Sequence, residues 1–195
     1  MIKIARPVAI ILIIAISFLA AFAINGVLRG VEKLQRPDKY REIVEKYAAE
    51  YNIPSYIIFA IIDVESDFDS EAISRVGAVG LMQMMPSTFE WLTSADHLGE
   101  NLSPEALCEP EVSIRYGTYY LRYLFEKFYN WDTVFAAYNA GEGNVAKWLQ
   151  SSEYSDGNGN LTDIPFKETR QYVKKVNKSI DYYKNTYYKN EDGIS

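Results

Sequence analysis

The spacing of apolar positions along the chain predicts helices and almost nothing else. Val8 to Ile24 is uncharged, with Ser17 its only polar side chain. Tyr40 to Tyr51 places Tyr40, Ile43, Val44, Tyr47 and Ala48 at helical spacing. Pro54 opens a helix over Ser55 to Ser66 that is apolar almost all round, the signature of a central buried helix. Gly77 and Gly80 break the pattern before Pro86 starts another helix toward Leu92. Glu111 to Tyr129 is amphipathic, with Ile114, Gly117, Tyr120, Leu121, Leu124 and Phe128 on its buried stripe. Asp132 to Asn139 follows, then Val145 to Leu149 with Asn144 as its expected cap. Ser151 to Thr162 is polar, a loop or minor hairpin, and Glu168 to Tyr188 repeats Tyr172, Val173, Val176, Ile180, Tyr183 and Tyr187. No alternating strand pattern of useful length occurs, so the expected class is all-α.

The first apolar run changes the picture of where the chain works. As a helix it would span about 25 Å, near the lower limit for a bilayer core. Lys3 and Arg6 precede it, which favours a cytoplasmic N-terminus and an exported remainder, although Arg29, Lys33 and Arg36 follow closely. Ala21-Phe22-Ala23 also fits a signal-peptidase site that would release the mature protein; the apolar run continuing past it to Ile24 favours an uncleaved anchor. The expected layout is an anchor or signal segment over 1–29, a short polar linker over 30–39, and one domain over 40–190.

Composition removes several function classes. The chain has 195 residues and a net charge of −6, which argues against nucleic acid as its main partner. Cys108 stands alone, so no intramolecular disulfide forms. His97 is the only histidine, expected to be exposed, so neither a histidine triad nor a histidine-rich metal site can be built. Asp156-Gly157-Asn158-Gly159-Asn160 suggests a calcium loop, but the positions where an EF-hand needs Gly and Glu hold Leu161 and Lys167. No metal and no cofactor is expected. Tyr183 and Tyr187 belong to the core stripe, while Tyr182 and Tyr188 have no assigned role.

The strongest chemical signal runs from Glu65 to Pro86. On a helical wheel Ile58, Ile61 and Ile62 share the face of Glu65, and Asp63 falls nearly opposite. A carboxyl on an apolar face loses hydration, which raises its pKa toward what a general acid needs near neutrality. The wheel alone equally allows a solvated helix end. Downstream, Gly77 and Gly80 permit close backbone approaches, Gln83 can donate and accept hydrogen bonds, and Met82, Met84 and Met85 offer adaptable apolar surface for a sugar face or for the core.

The order Glu65-Ser66-x-Phe68, Ala72-x-Ser74-x-x-Gly77-Ala78-x-Gly80-Leu81-Met82-Gln83-x-Met85-Pro86 resembles the soluble lytic transglycosylase (SLT) domain family. A second motif stands at Ala137-Tyr138-Asn139-Ala140-Gly141, with Gly143, Val145 and Trp148 after it, and a third at Glu168-Thr169-Arg170-x-Tyr172-Val173. Three ordered motifs are far more specific than one, and the resemblance spans roughly Tyr40 to Tyr188. One departure is Ser113, where the family usually has Asn; it is expected to affect helix packing rather than catalysis.

The resemblance implies a lysozyme-like (goose-type lysozyme/SLT) helical fold and cleavage of the β-1,4 bond between N-acetylmuramic acid and N-acetylglucosamine in peptidoglycan. It makes Glu65 the single acid/base and puts Ser74, Gln83, Met85, Tyr138, Asn139 and Glu168 along the glycan cleft, with Tyr138 positioning the sugar or supporting Glu65. A structural role for Glu168 beside Arg170 stays open. Implied too is an intramolecular attack by the C6 hydroxyl, leaving a 1,6-anhydro end without water. Two rivals remain: a goose-type hydrolase, in which Asp67, Asp69, Glu142 or Glu168 holds a water beside Glu65, and a non-catalytic cell-wall-binding module, against which the intact Glu65 argues. The expected partners are peptidoglycan strands and the membrane, with the catalytic domain outside the cytoplasm.

Overall fold

A computed structural model describes residues 6–100 and 102–188, with 6–13 and 27–36 described in backbone only. Among the described residues there are seven α-helices: α1 (Arg6–Tyr51), α2 (Ser55–Ser66), α3 (Pro86–Thr93), α4 (Pro110–Phe128), α5 (Trp131–Ala140), α6 (Glu142–Leu149) and α7 (Lys167–Tyr187). A short 3-10 helix at Pro104–Cys108 precedes α4. Extended pairing among these residues is limited to isolated bridges, Ile73 with Val79, Val79 with Met84, and Ser155 with Leu161. The all-helical expectation holds, and the minor hairpin expected near Ser151–Thr162 reduces to the last of those bridges.

The chain divides into two compact units between Lys39 and Tyr40. In the first, residues 14–26 are helical and exposed, including Ile14, Phe18, Leu19, Phe22 and Ile24. Among the described residues no helix is long and apolar enough to cross a membrane. The expected transmembrane helix is therefore not found there; residues 8–13 of its apolar run, and the flanking charges of Lys3, Arg6, Arg29, Lys33 and Arg36, lie outside the described side chains. Residues 30–39, expected as a linker, are helical within α1, with Pro37 inside that helix. Residues 189–190, the end of the expected domain, also lie outside the description.

In the second unit α2 is the buried axis. Ile58, Ile61 and Ile62 have no exposed surface, and burying each contributes about 1.5–3 kcal/mol relative to leaving it in water. The most extensive helix pair is α2 with α7, and α5 packs on α4, α6 and α7. The helix ends because Asp67 takes a left-handed conformation at φ 50°, its N–H closing on the Asp63 carbonyl at 3.1 Å. Two side chains depart from their expected roles. Asn144 does not cap α6; it lies inside that helix and donates to the Ala140 carbonyl at 2.8 Å, while Gly141 supplies the turn at φ 85°. His97 is not exposed but half-buried, 4.1 Å from the Trp91 ring, with Nδ1 3.2 Å from the Tyr119 hydroxyl.

Candidate active site

The segment after α2 is a folded platform rather than a flexible loop. Ser74 N–H donates to Ala78 O and Ala78 N–H donates to Ser74 Oγ, both at 2.9 Å, closing a turn over Gly77. Val79 and Met84 exchange backbone hydrogen bonds at 3.0 Å. Two glycines seat this platform on the helices behind it. A Cβ on Gly80, at φ 79°, would collide with the Leu107 carbonyl, and one on Gly117 would collide with the buried Met82 side chain. The Ser66 hydroxyl ties the end of α2 to the platform, 2.8 Å from the Leu81 carbonyl. Met82 and Met84 are therefore core, and Met85, 39% exposed, is the methionine left to face outward.

The platform, the end of α5 and the start of α7 enclose a cleft of about 770 Å3. Glu65, Ser74, Gln83, Met85, Tyr138, Asn139 and Glu168 all line it, so the structure brings the seven candidate residues to one place. A side pocket of about 240 Å3 shares Gln83, Met85, Tyr138 and Asn139 with it and is closed by Thr88 and Tyr120.

Glu65 stands apart in its surroundings. Desolvation by burial raises its pKa from the ordinary 4.5 to about 7, against the opposing effect of a hydrogen bond from Tyr172. The Tyr172 hydroxyl donates to Glu65 Oε1 at 2.7 Å. Burial, with the nearby Glu65 charge as a lesser cause, holds the phenols of Tyr172 and Tyr138 well above their ordinary pKa, so both remain neutral donors. Tyr138 does not reach Glu65; its hydroxyl donates to the Met82 carbonyl at 2.9 Å. The same residue's N–H donates to Ser113 Oγ at 3.2 Å, so the Met82 peptide is gripped from α4 and from α5.

The remaining lining residues are partly committed. Both Gln83 amide hydrogens go inward, Nε2 donating to Ala72 O at 2.9 Å and Gly80 O at 3.0 Å, which leaves its oxygen as an acceptor. Ser74 Oγ accepts from Ala78 and keeps its proton for a ligand. The side chains of Asn139 and Glu168 carry no hydrogen bond or ion pair among the described residues, and both line the cleft. Arg170 turns away from Glu168 and forks onto the Ile164 carbonyl and Asp163. Asp67, Asp69 and Glu142 are absent from the cleft lining, as is Asp63, which accepts from the Ser179 hydroxyl of α7 at 2.7 Å. Groups of His, Cys, Asp and Glu able to hold a metal are not found among the described residues.

Four lining residues carried no usable signal in the sequence: Val76, Pro165, Phe166 and Lys167. Tyr172 was legible as a member of an apolar stripe and of the third motif, with no role for its hydroxyl. Its hydroxyl partner lies across the fold on α2, so periodicity assigns it to the core and the polar tip goes unread.

The transglycosylase SLT domain profile matches residues 42–160. The soluble lytic murein transglycosylase of Escherichia coli (strain K12) is 38% identical over 151 residues, covering 76% of this chain and 23% of that protein. The membrane-bound lytic murein transglycosylase C of Haemophilus ducreyi (strain 35000HP / ATCC 700724) is 31% identical over 175 residues, covering 77% of this chain and 47% of that protein. The crystal structure of the 70 kDa soluble lytic transglycosylase from Escherichia coli superimposes with a TM-score of 0.68 at 38% identity, over 75% of this chain and 24% of that one. The chain thus spans about a quarter of the soluble relatives it matches and under half of the membrane-bound one. The matched profile ends before α7, so Glu168 and Tyr172 lie beyond it. With three motifs in order, the profile spanning most of the helical unit, and a shared fold at 38% identity, the chain belongs to the transglycosylase SLT domain family.

Proposed function

We propose that this chain is a peptidoglycan lytic transglycosylase that cleaves the β-1,4 bond between N-acetylmuramic acid and N-acetylglucosamine with Glu65 as its single acid/base. One observation carries the reading: a carboxyl with a pKa of about 7 lies in a cleft large enough for glycan, held by one tyrosine hydroxyl. At neutral pH a large share of Glu65 is protonated and able to give its proton to the glycosidic oxygen. Tyr172 holds the carboxyl in one orientation, and its bond strengthens as the charge appears on Glu65. The acetamido group of the muramic sugar then stabilises the developing cation. Ionised Glu65 takes the C6 hydroxyl proton as that oxygen bonds C1, closing the 1,6-anhydro ring. Bringing nucleophile and centre together within one sugar replaces a water held by a second carboxylate. Ser74, Gln83, Met85, Asn139 and Glu168 line the bound strand in this reading, and Tyr138 shapes its floor through the Met82 carbonyl rather than by touching Glu65.

The goose-type hydrolase alternative retains one support: Glu168 is a second, unpaired carboxylate in the same cleft. Mass spectrometry of the products separates the two, since a hydrolysed reducing end is one water heavier than an anhydro end. Anhydro ends are expected; reducing ends alone would overturn the transglycosylase reading.

Residues 1–29 serve as a membrane anchor and 40–190 as the catalytic domain outside the cytoplasm, supported by the uncharged run Val8–Ile24, by the exposed apolar residues of 14–26, and by a relative whose name is membrane-bound. Fractionation of the full chain is expected to place it in the membrane pellet, released by detergent and not by salt.

A further inference from the structure

Helix α7 has two faces of opposite character. Tyr172, Val173, Val176, Ser179 and Tyr183 are buried. Lys174, Lys175, Lys178, Asp181 and Tyr182 are exposed. Lys174, Lys178 and Tyr182 follow one another at four-residue steps, and Lys175 lies three residues before Lys178, so these four share one side of the helix. None of the three lysines makes an ion pair or hydrogen bond among the described residues, and neither does the Asp181 carboxylate. Lys167, Arg170, Lys174, Lys175, Lys178 and Lys184, against Glu168 and Asp181, give α7 a net charge of +4 in a chain of net charge −6. Positive charge is gathered on this helix while the rest of the chain is acidic. Like charges three and four residues apart weaken a helix. With no ion pair to offset that cost, the row suits an anion outside the fold.

The far end of α7 lies where the chain enters this unit. The Arg41 guanidinium stands 5.2 Å from the centre of the Tyr187 ring, and the Tyr188 hydroxyl donates to Glu45 at 2.6 Å. Tyr40 is the first residue of the unit. An anchor in residues 1–29 therefore ties this end of the helix, rather than the cleft end, to a bilayer. Anionic headgroups supply the complementary charge, attracting lysines that come within a Debye length, about 8 Å at physiological salt. Tyr182 is 46% exposed and suits the headgroup layer for a second reason, an apolar ring with a polar tip.

We propose that the face of α7 formed by Lys174, Lys175, Lys178 and Tyr182 docks on anionic lipid headgroups of the membrane that holds the chain. This rests on the anchored layout and is independent of which bond the cleft cuts. Docking lays α7 along the surface and holds the cleft, which its first turn helps to line, close to the bilayer. Glycan nearest the membrane is then cut first.

The test reads acetylation of each lysine by mass spectrometry, with a neutral reagent acting on the full chain in nanodiscs. One set of discs is phosphatidylcholine, and the other is equal parts phosphatidylcholine and phosphatidylglycerol. Lys174, Lys175 and Lys178 are expected to react about five-fold more slowly on the anionic discs, and high salt is expected to remove the difference. Lys147, exposed on α6, is expected to react equally on both. The double variant Lys175→Glu with Lys178→Glu is expected to return Lys174 to its rate on neutral discs. Equal rates for the three lysines on both discs overturn the proposal and leave the anchor standing. So does protection by soluble poly(glycerol phosphate) on neutral discs with none on anionic ones, which assigns the face to a wall polyanion. A chain that does not stay with the discs overturns the anchor and the docking together.

Discussion

Helix α2 carries two carboxylates two residues apart, and α7 answers each of them. Asp63 accepts from the Ser179 hydroxyl and Glu65 from the Tyr172 hydroxyl, both at 2.7 Å. Ser179 and Tyr172 lie about two turns apart on one face of α7, so the two pairs are nearly the same device used twice. What differs is the space beyond the carboxyl. Glu65 opens on the cleft and is pushed to a pKa of about 7 by burial, whereas Asp63 clamps α2 to α7. A hydrogen bond from a hydroxyl does not make a carboxyl catalytic. An apolar setting beside an open cleft is what suits Glu65, and not Asp63, to the proposed acid role.

Neutralising each carboxyl in turn separates the two roles. Glu65→Gln is expected to lower glycan cleavage by roughly 10²–10⁴-fold with the fold intact. Asp63→Asn is expected to keep turnover within a few-fold and to cost about 1–2 kcal/mol of stability through the weakened Ser179 bond. Turnover assays on both variants beside circular dichroism decide it; loss of activity in folded Asp63→Asn would dissolve the distinction.

The backing of the cleft sets the next effect. Gly80→Ala is expected to destabilise the fold by roughly 2–4 kcal/mol, because a side chain there meets the Leu107 carbonyl in a left-handed conformation. Urea midpoints read the loss directly, and a midpoint equal to wild type would mean that the platform is not seated on the 3-10 helix as described.

Glu65 also has an opposite effect on stability. The unfolded chain ionises this carboxyl above about 4.5, while the fold keeps its proton until about 7. Ionisation therefore favours the unfolded state, and the penalty grows from pH 4.5 to 7 and then stays constant, reaching roughly 1–3 kcal/mol. Glu65→Gln is expected to melt higher than wild type above pH 7, by about 2–4 °C per kcal/mol, with the gain fading by pH 4. A gain independent of pH would remove Glu65 titration as its cause.

The smallest expected effect separates the two hydroxyls. Tyr172→Phe removes a donor that favours ionised Glu65, so the pKa moves further up. The alkaline limb of kcat/KM, where the acid loses its proton, then shifts to higher pH, and kcat falls about ten-fold through lost positioning. Ser179→Ala is expected to leave that limb in place. A profile that moves with Ser179 and not with Tyr172 would reverse the assignment.

Local pattern made much of this molecule legible. The bounds of α2 follow from Pro54 and an apolar run, and its burial follows because no face is polar. Asp63 and Glu65 fall on different faces because two residues turn an α-helix by more than half a revolution. Methionines were ambiguous for a physical reason: a flexible apolar side chain suits a core and a cleft equally, and only the packing shows that Met82, against Gly117, and Met84 went inward while Met85 did not. Gln83 was readable as a polar lining residue, but the spending of both its donors on Ala72 and Gly80 was not. Nor was the binding of Tyr138 to Met82 instead of Glu65.

By itself the sequence determined the helices, the family motifs and which carboxyl lies on an apolar face, because these depend on residue type and spacing along one chain. Only the tertiary structure decided what stands across from each side chain. Tyr172 reaches Glu65 over 107 residues of chain, Arg170 pins the cleft entrance instead of pairing with Glu168, and Phe166 with Lys167 is left facing outward. Those pairings arise from helix packing, which brings together positions that no local period relates.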